Sequence, residues 1–216
     1  MSRRRRRPTL ASPPRAERLQ AFPARSLGLE RQLFRVVRRG RGPWWFGSSM
    51  AGRFDLPKPH GTCYLASDEI AALLEVIGPN RLGGGVCREF FDARRLRRLR
   101  LPAKRRLADL VARRAAAFGI TGEIGSLVPY DLPQRWARRL HRATFEGVIF
   151  HLRHDPSAAE GLALFGPTGE RKAWRRGREE PLDDELLGRL ERDCGLEILD
   201  RPRASQLRFA DLPRPS

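Results

Sequence analysis

Five short apolar segments lie between residues 33 and 199, and no regular succession of helices separates them. Each has the length and the apolar or β-branched content of a β-strand; they cover residues 33–37, 62–66, 147–152, 161–165 and 196–199. A parallel sheet would require a helical crossover between successive strands, and this spacing does not provide one each time. The sequence therefore predicts an α+β fold, with a single domain built on a mixed or antiparallel sheet.

Helical segments alternate with these strands. A helix is predicted to begin after Ser67 as its N-cap, because two acidic residues follow and favour the first turn. Apolar residues then recur at the spacing of one buried helix face, namely Ile70, Leu73, Leu74 and Ile77. Two further helices are predicted over residues 132–141 and 183–194, the second ended by Gly195.

The two ends of the chain differ in composition from its middle. Residues 1–30 contain five consecutive arginines and several prolines, which predicts a basic, disordered N-terminal tail. This tail is either a solvated arm or a weak anion-binding arm. Residues 202–216 carry prolines at 202, 213 and 215 and are predicted to form a loose C-terminal tail. Residues 31–201 remain as one domain of ordinary size.

The chain is strongly basic, with 43 Lys and Arg against 25 Asp and Glu, a formal net charge of +18. Such a charge suits a polyanion such as nucleic acid, or an anionic membrane surface. Only three of the 43 are lysines, which is typical of coding bias in a GC-rich genome. The charge therefore permits a nucleic-acid partner and gives it only weak support.

Composition removes several other classes of protein. No apolar run approaches the roughly 18–20 residues that cross a bilayer, and the N-terminus has no apolar signal core. The three cysteines, at 63, 87 and 194, are too far apart for a zinc site or a disulfide framework. We therefore expect a cytoplasmic protein with reduced thiols, no metal and no membrane association.

The densest basic stretch covers residues 88–114, with eleven basic residues and three acidic ones. One interpretation is a face that follows the phosphates of a nucleic acid. The other is a set of amphipathic segments with arginines on their solvent side, because leucines are interleaved among the arginines.

Three residues near the first predicted helix are candidates for chemistry, and each also has an ordinary structural explanation. Arg53 follows two glycines, at 47 and 52, and either binds a phosphate or simply lies on a loop. Tyr64 falls within a strand, where burial is the usual outcome. Glu75 lies off the apolar stripe of its helix, so it faces either solvent or a cleft.

Taken together, these residues resemble the RES domain family. The resemblance rests on arginine after glycine at Arg53, then Tyr64 followed by Leu-Ala-Ser, then Glu75 between Leu and Val. Each of these positions is eleven residues after the one before. The segment 33–36 is similar to the opening strand of the family, and 145–150 and 161–165 to its closing strands. The resemblance covers about residues 32–165.

The resemblance implies a fold similar to ADP-ribosyltransferases and cleavage of the nicotinamide–ribose bond of NAD by hydrolysis or phosphorolysis. Family members usually act as the toxin of a toxin–antitoxin pair, so a helix-turn-helix antitoxin is an expected partner. NAD is then a substrate, and no bound cofactor is expected. By the same resemblance, Glu75 is the catalytic residue, Arg35 and Arg53 bind the pyrophosphate, and Tyr64 orients the nicotinamide.

The sequence departs from the family pattern at one functional position. Leu152 stands where the family has a serine after its closing strand, and Ser157 is the nearest serine that follows. Phe54 and Asp55 also replace a tryptophan and an asparagine. Three interpretations follow: an NAD-consuming enzyme, a RES-like domain that binds a nucleotide or a protein without catalysis, and a basic nucleic-acid-binding protein.

Overall fold

The structure is a computed structural model and describes residues 9–78, 85–157 and 159–200. The strands within these residues are β1 (Ala24–Leu27), β2 (Gln32–Arg38), β3 (Trp45–Phe46), β4 (His60–Ala66), β5 (Gly85–Cys87), β6 (Arg94–Arg100), β7 (Arg105–Asp109), β8 (Gly147–His151), β9 (Glu160–Pro167), β10 (Gly169–Glu170), β11 (Arg178–Pro181) and β12 (Glu197–Leu199). The α-helices are α1 (Glu69–Ile77), α2 (Arg88–Asp92), α3 (Asp131–Arg142) and α4 (Asp184–Cys194). Short 3₁₀ helices cover Arg18–Ala21, Arg113–Phe118 and Gly122–Gly125.

A mixed sheet of eight strands forms the centre of the domain, in the order β1-β7-β8-β9-β4-β2-β6-β11. The pair β7–β8 is parallel, and the other neighbours are antiparallel. Two small ribbons flank this sheet: β10 pairs antiparallel with β3, and β12 pairs parallel with β5. The predicted α+β class with a single domain and a mixed sheet is confirmed.

Each face of the sheet packs in its own apolar cluster, because side chains alternate between the two faces along each strand. On β2, Phe34 and Val36 pack in the larger cluster with residues of α1, α3 and α4. Leu33 on the same strand packs in the smaller cluster on the other face. On β4, Tyr64 lies against the larger cluster and Cys63 in the smaller one. This alternation decides which side chains can meet on one face.

The helix α1 begins one residue later than the sequence predicted. Asp68, not Ser67, is the N-cap: its backbone is extended and its carboxylate accepts a hydrogen bond from the Ala71 amide at 3.0 Å. Ser67 instead links the end of β4 to the start of β9, because its hydroxyl accepts a hydrogen bond from the Glu160 amide at 2.8 Å. The predicted apolar stripe of α1 is buried, as expected: Ile70, Leu73, Leu74 and Ile77.

The other two predicted helices are confirmed to within one residue at each end. The last of them, α4, has Asp183 as its N-cap, and that carboxylate accepts a hydrogen bond from the Leu186 amide at 2.9 Å. It ends at Gly195, whose φ of 59° is left-handed and favours glycine.

The prediction of a disordered tail over residues 1–30 is wrong from residue 9 onwards. Leu10, Leu19 and Phe22 are buried in the larger core cluster, and β1 forms the edge of the main sheet against β7. The indole of Trp136 in α3 also donates a hydrogen bond to the Ala11 carbonyl at 2.9 Å. The few apolar residues of this segment have no regular period, so sequence patterning did not detect them. The arginine run at 3–7 and the predicted tail over 202–216 lie outside the described residues.

The basic stretch 88–114 contains α2, β6 and β7, and five of its ten arginines form ion pairs with neighbouring carboxylates. Arg98 forms ion pairs with Glu69 and with Glu180 of β11, and Arg105 pairs with Glu146 at 2.5 Å. The interleaved leucines are buried. This arrangement agrees with the amphipathic interpretation rather than with a free phosphate-binding face. In the part of the chain that is described, no helix has the length and apolar character needed to cross a membrane.

Replacing Leu19 with alanine tests whether the N-terminal segment is part of the core. The side chain is 0% exposed, so we expect the Leu19→Ala variant to lose about 2–5 kcal/mol in free energy of unfolding. The neighbouring Gln20 is exposed, and Gln20→Ala should stay within about 0.5 kcal/mol of wild type. Urea denaturation followed by circular dichroism measures both. Equal stability of Leu19→Ala and wild type would contradict the packing described here.

Candidate functional site

A cavity of about 650 Å³ opens on the face of the sheet that carries α1. Its walls come from the loop at residues 51–53, from β2 and β4, from the C-terminal half of α1 and from the segment that follows β8. Arg53, Tyr64 and Glu75 all line it. Arg35 also contributes to the wall, so all four residues that the sequence singled out lie at this cavity.

Arg53 is a buried cation in the wall of this cavity, with 9% of its surface exposed. Its Nη1 donates a hydrogen bond to the Leu127 carbonyl at 2.8 Å, and its guanidinium carbon lies 4.7 Å from the centre of the Tyr130 ring. Burial lowers the pKa of Arg53 from its usual value. The Leu127 carbonyl is the acceptor that Arg53 has among the described residues, so its other N–H groups remain free to bind a ligand.

Asp55 and Gln134 hold the loop that presents Arg53. The Asp55 carboxylate accepts hydrogen bonds from the Gly52 amide and from the Tyr64 hydroxyl, both at 3.0 Å. From the other side, the Gln134 amide of α3 donates to the Met50 and Gly52 carbonyls, both at 2.9 Å. A Cβ on Gly52 would lie 2.4 Å from an Asp55 oxygen, so only glycine fits. The position of Arg53 is therefore set by a buried polar network.

Tyr64 contributes its ring to the cavity and its hydroxyl to the same network. Besides donating to Asp55, the hydroxyl accepts a hydrogen bond from the Phe54 amide at 2.8 Å. Burial, together with the negative charge of Asp55, raises the pKa of Tyr64 well above its usual value. The hydroxyl thus stays protonated and structural, and the ring is the part of Tyr64 that can contact a ligand.

Glu75 faces the cavity rather than open solvent. It is half-buried on α1, and its Oε1 accepts a hydrogen bond from the His154 amide at 3.2 Å. Its negative charge stabilises the positive charge of the Arg53 guanidinium, so the two side chains interact electrostatically. Of the two sequence interpretations of Glu75, the structure agrees with the cleft-facing one.

Arg35 is placed differently from the other three candidates. Although it contributes to the cavity wall, its guanidinium donates hydrogen bonds to the Pro43 and Trp45 carbonyls and to the Cys63 sulfur. Cys63 lies on the face of β4 opposite to Tyr64. The structure therefore does not bring the guanidinium groups of Arg35 and Arg53 together, because alternation along β2 turns Arg35 toward the smaller core.

Three lining residues were missed by the sequence analysis: Tyr130, Arg153 and His154. One signal was present for Tyr130, since the chain has only two tyrosines and both line this cavity. Arg153 is exposed. Its like charge contributes to lowering the pKa of Arg53, so a second cation lies close to the first. It directly follows the position where the family serine was expected.

Leu152 occupies the position of that serine and lines the cavity with 7% of its surface exposed. Among the described residues, no serine or threonine lines this cavity. Ser157 lies in the following turn, where its hydroxyl accepts a hydrogen bond from the Ala159 amide at 3.1 Å. Nor do the described residues contain a cluster of three or more His, Cys, Asp or Glu side chains able to hold a metal ion.

This arrangement suits a ligand that is anionic along part of its length and carries a flat ring. Guanidinium groups bind phosphates through paired donors, and the tyrosine rings offer flat apolar surfaces. The single carboxylate of Glu75 sits within the same space and can stabilise positive charge that develops on a bound molecule. The cavity volume is in the range of small-molecule sites.

Comparison with solved structures supports the fold. A chain of the crystal structure of the M. tuberculosis MbcT–MbcA toxin–antitoxin complex matches with a TM-score of 0.58 and 17% sequence identity. The match covers 76% of this chain and 87% of that one. This similarity fits the ADP-ribosyltransferase-like fold that the sequence predicted.

Comparison of the sequence with protein families and with curated proteins gives two results. Among curated proteins, no match was found. The RES domain matches residues 32–183, which is well over half of the chain and includes Arg53, Tyr64 and Glu75. The chain therefore belongs to the RES domain family.

Proposed function

We propose that this protein is an NAD-degrading enzyme that cleaves the nicotinamide–ribose bond and acts as the toxin of a toxin–antitoxin pair. The observation that carries the proposal is the convergence of Arg53, Tyr64 and Glu75 on one cavity. These are the residues through which the sequence resembles the NAD-consuming RES family, and membership of that family supports the same activity.

The proposed chemistry assigns the central role to Glu75. Cleavage of the bond between nicotinamide and ribose leaves the ribose with oxocarbenium-like positive charge, as in glycoside cleavage. Nicotinamide departs as a neutral molecule, so no general acid is needed to expel it. Glu75 accepts a hydrogen bond from a ribose hydroxyl and places its negative charge beside the developing cation. Water or phosphate then forms a bond to the ribose carbon that nicotinamide has left, and an attacking water gives up a proton to solvent.

Arg53 and the two tyrosines bind and orient the substrate in this proposal. The free donors of Arg53 bind the pyrophosphate, and Arg153 adds a second positive charge close by. The ring of Tyr64 packs against the nicotinamide. Because Arg53 is held by Leu127 and Tyr130 before substrate arrives, little ordering of this side chain is needed on binding.

The proposed partner is an antitoxin of the helix-turn-helix type. The structural neighbour was solved as a toxin–antitoxin complex, which supports a partner of this kind. The net charge of +18 would speed association with an acidic partner through electrostatic steering.

A second candidate function is NAD binding without turnover, and Leu152 is the observation that favours it. An apolar side chain at the expected serine position removes a hydroxyl that can position the nucleophile or the ribose. The cavity would then bind the dinucleotide through Arg53 and release it unchanged. Release of nicotinamide by the wild-type protein separates these two functions.

Replacing Glu75 with glutamine tests the catalytic assignment. Glutamine keeps the shape and one acceptor but removes the charge, so we expect kcat for nicotinamide release to fall roughly 100-fold or more with KM little changed. The matched control is Glu185→Gln on the exposed start of α4, which should retain wild-type kcat. Chromatographic measurement of nicotinamide gives both values. A Glu75→Gln variant with the wild-type rate would refute the assignment, and a wild type that binds NAD without releasing nicotinamide would favour the second function.

Replacing Arg53 with alanine tests substrate binding. Loss of the charge-assisted contacts to the pyrophosphate should weaken NAD affinity roughly 10-fold or more, as measured by isothermal titration calorimetry. Arg114→Ala removes an exposed arginine outside the cavity and should leave the affinity unchanged. Thermal melting of each variant confirms that it is folded. Unchanged affinity in folded Arg53→Ala protein would be inconsistent with a pyrophosphate site at this position.

A further inference from the structure

Four arginines form one face of α3: Arg135, Arg138, Arg139 and Arg142. Their spacing of three, one and three residues places them on one side of the helix over about 10 Å of its length. The opposite side of α3 is buried and contains Trp136, Ala137 and Leu140. With Pro13, the four arginines enclose a shallow pocket of about 210 Å³. We call this face the α3 arginine stripe.

The stripe differs from the arginine-rich strands β6 and β7 in having no carboxylate partners among the described residues. Within residues 9–78, 85–157 and 159–200, none of its four guanidinium groups forms an ion pair. On β6 and β7, by contrast, Arg97, Arg98 and Arg105 are each paired with glutamates. The stripe is thus a compact set of four unpaired arginines on one helix face.

The lining of the pocket indicates which kind of polyanion fits it. A protein partner would ordinarily bury an apolar or aromatic centre and keep its charged residues at the rim. The stripe provides no such centre, because Pro13 is the one apolar residue beside the arginines among the described residues that line the pocket. A nucleic-acid backbone needs only a row of guanidinium or ammonium groups. In the described part of the chain, no aromatic side chain lines the pocket to stack on unpaired bases, which favours a duplex over a single strand.

We propose that the α3 arginine stripe binds the phosphate backbone of duplex nucleic acid without reading its sequence. The proposal does not rest on the NAD-degrading function, because no residue of the stripe lines the cavity that holds Arg53 and Glu75. Binding through phosphates predicts an affinity that falls steeply with salt and changes little with base sequence.

The test measures binding of the full-length protein to a fluorescent 24-base-pair DNA duplex by anisotropy, over a series of salt concentrations. One variant changes the four stripe arginines to glutamine, which keeps helix propensity. The control variant removes the same charge elsewhere, through Arg39→Gln, Arg41→Gln, Arg175→Gln and Arg176→Gln, at exposed positions without ion pairs among the described residues. Circular dichroism and thermal melting establish that both variants are folded.

We expect the stripe variant to bind at least roughly 100-fold more weakly at low salt, with the slope of log K against log salt reduced by about three to four. The control variant should stay within about threefold of wild type. Equal losses of DNA affinity in the two variants would show that only net charge matters and would overturn the proposal. A wild-type protein that binds no duplex at low salt would also overturn it. Binding of a single strand tenfold tighter than the duplex would overturn the choice of duplex. Stripe-dependent binding of a polyglutamate peptide, without binding of DNA, would reassign the stripe to an acidic protein partner.

Discussion

Asp55 is 3% exposed, and its two carboxylate oxygens accept hydrogen bonds from the Gly52 amide and the Tyr64 hydroxyl. Burying a carboxylate costs free energy unless hydrogen-bond donors of this kind satisfy it. Few other side chains could therefore replace the members of this network. Through it, the turn before β4 is tied to the strand itself, and Gln134 ties the same turn to α3. Arg53 lies in the cavity wall because the Asp55 carboxylate and the Gln134 amide together hold the turn that carries it.

The electrostatic balance of the cavity follows from that placement. Arg53 loses hydration on burial, and the neighbouring Arg153 adds a like charge, while Glu75 and the Tyr130 ring offset part of the cost. A site with two cations and one carboxylate is well matched to a dianionic pyrophosphate joined to a ribose that becomes positive during reaction. Leu152, also in the cavity wall, is apolar and leaves this charge arrangement intact.

Much of this fold was predictable from local patterns, and the failures have identifiable causes. The strand at 62–66 and the stripe of α1 follow simple periodicities, so they were predicted correctly. The N-terminal segment was missed because isolated residues such as Leu19 are buried through tertiary contacts that have no period. At the cavity, Glu75 and Arg53, which the resemblance singled out, lie in one wall system as the spacing suggested, and their roles stay a prediction. Arg35 was predicted beside them because a linear sequence does not show which face of β2 a functional side chain must share.

The central claim is that NAD occupies the cavity between Arg53 and Glu75. A crystal structure of the Glu75→Gln variant with NAD tests it most directly, because slowed turnover would preserve the intact substrate. We predict the pyrophosphate within hydrogen-bond distance of the Arg53 guanidinium and the nicotinamide-bearing ribose beside residue 75. A dinucleotide bound outside this cavity, or an empty cavity in crystals saturated with NAD, would contradict the account.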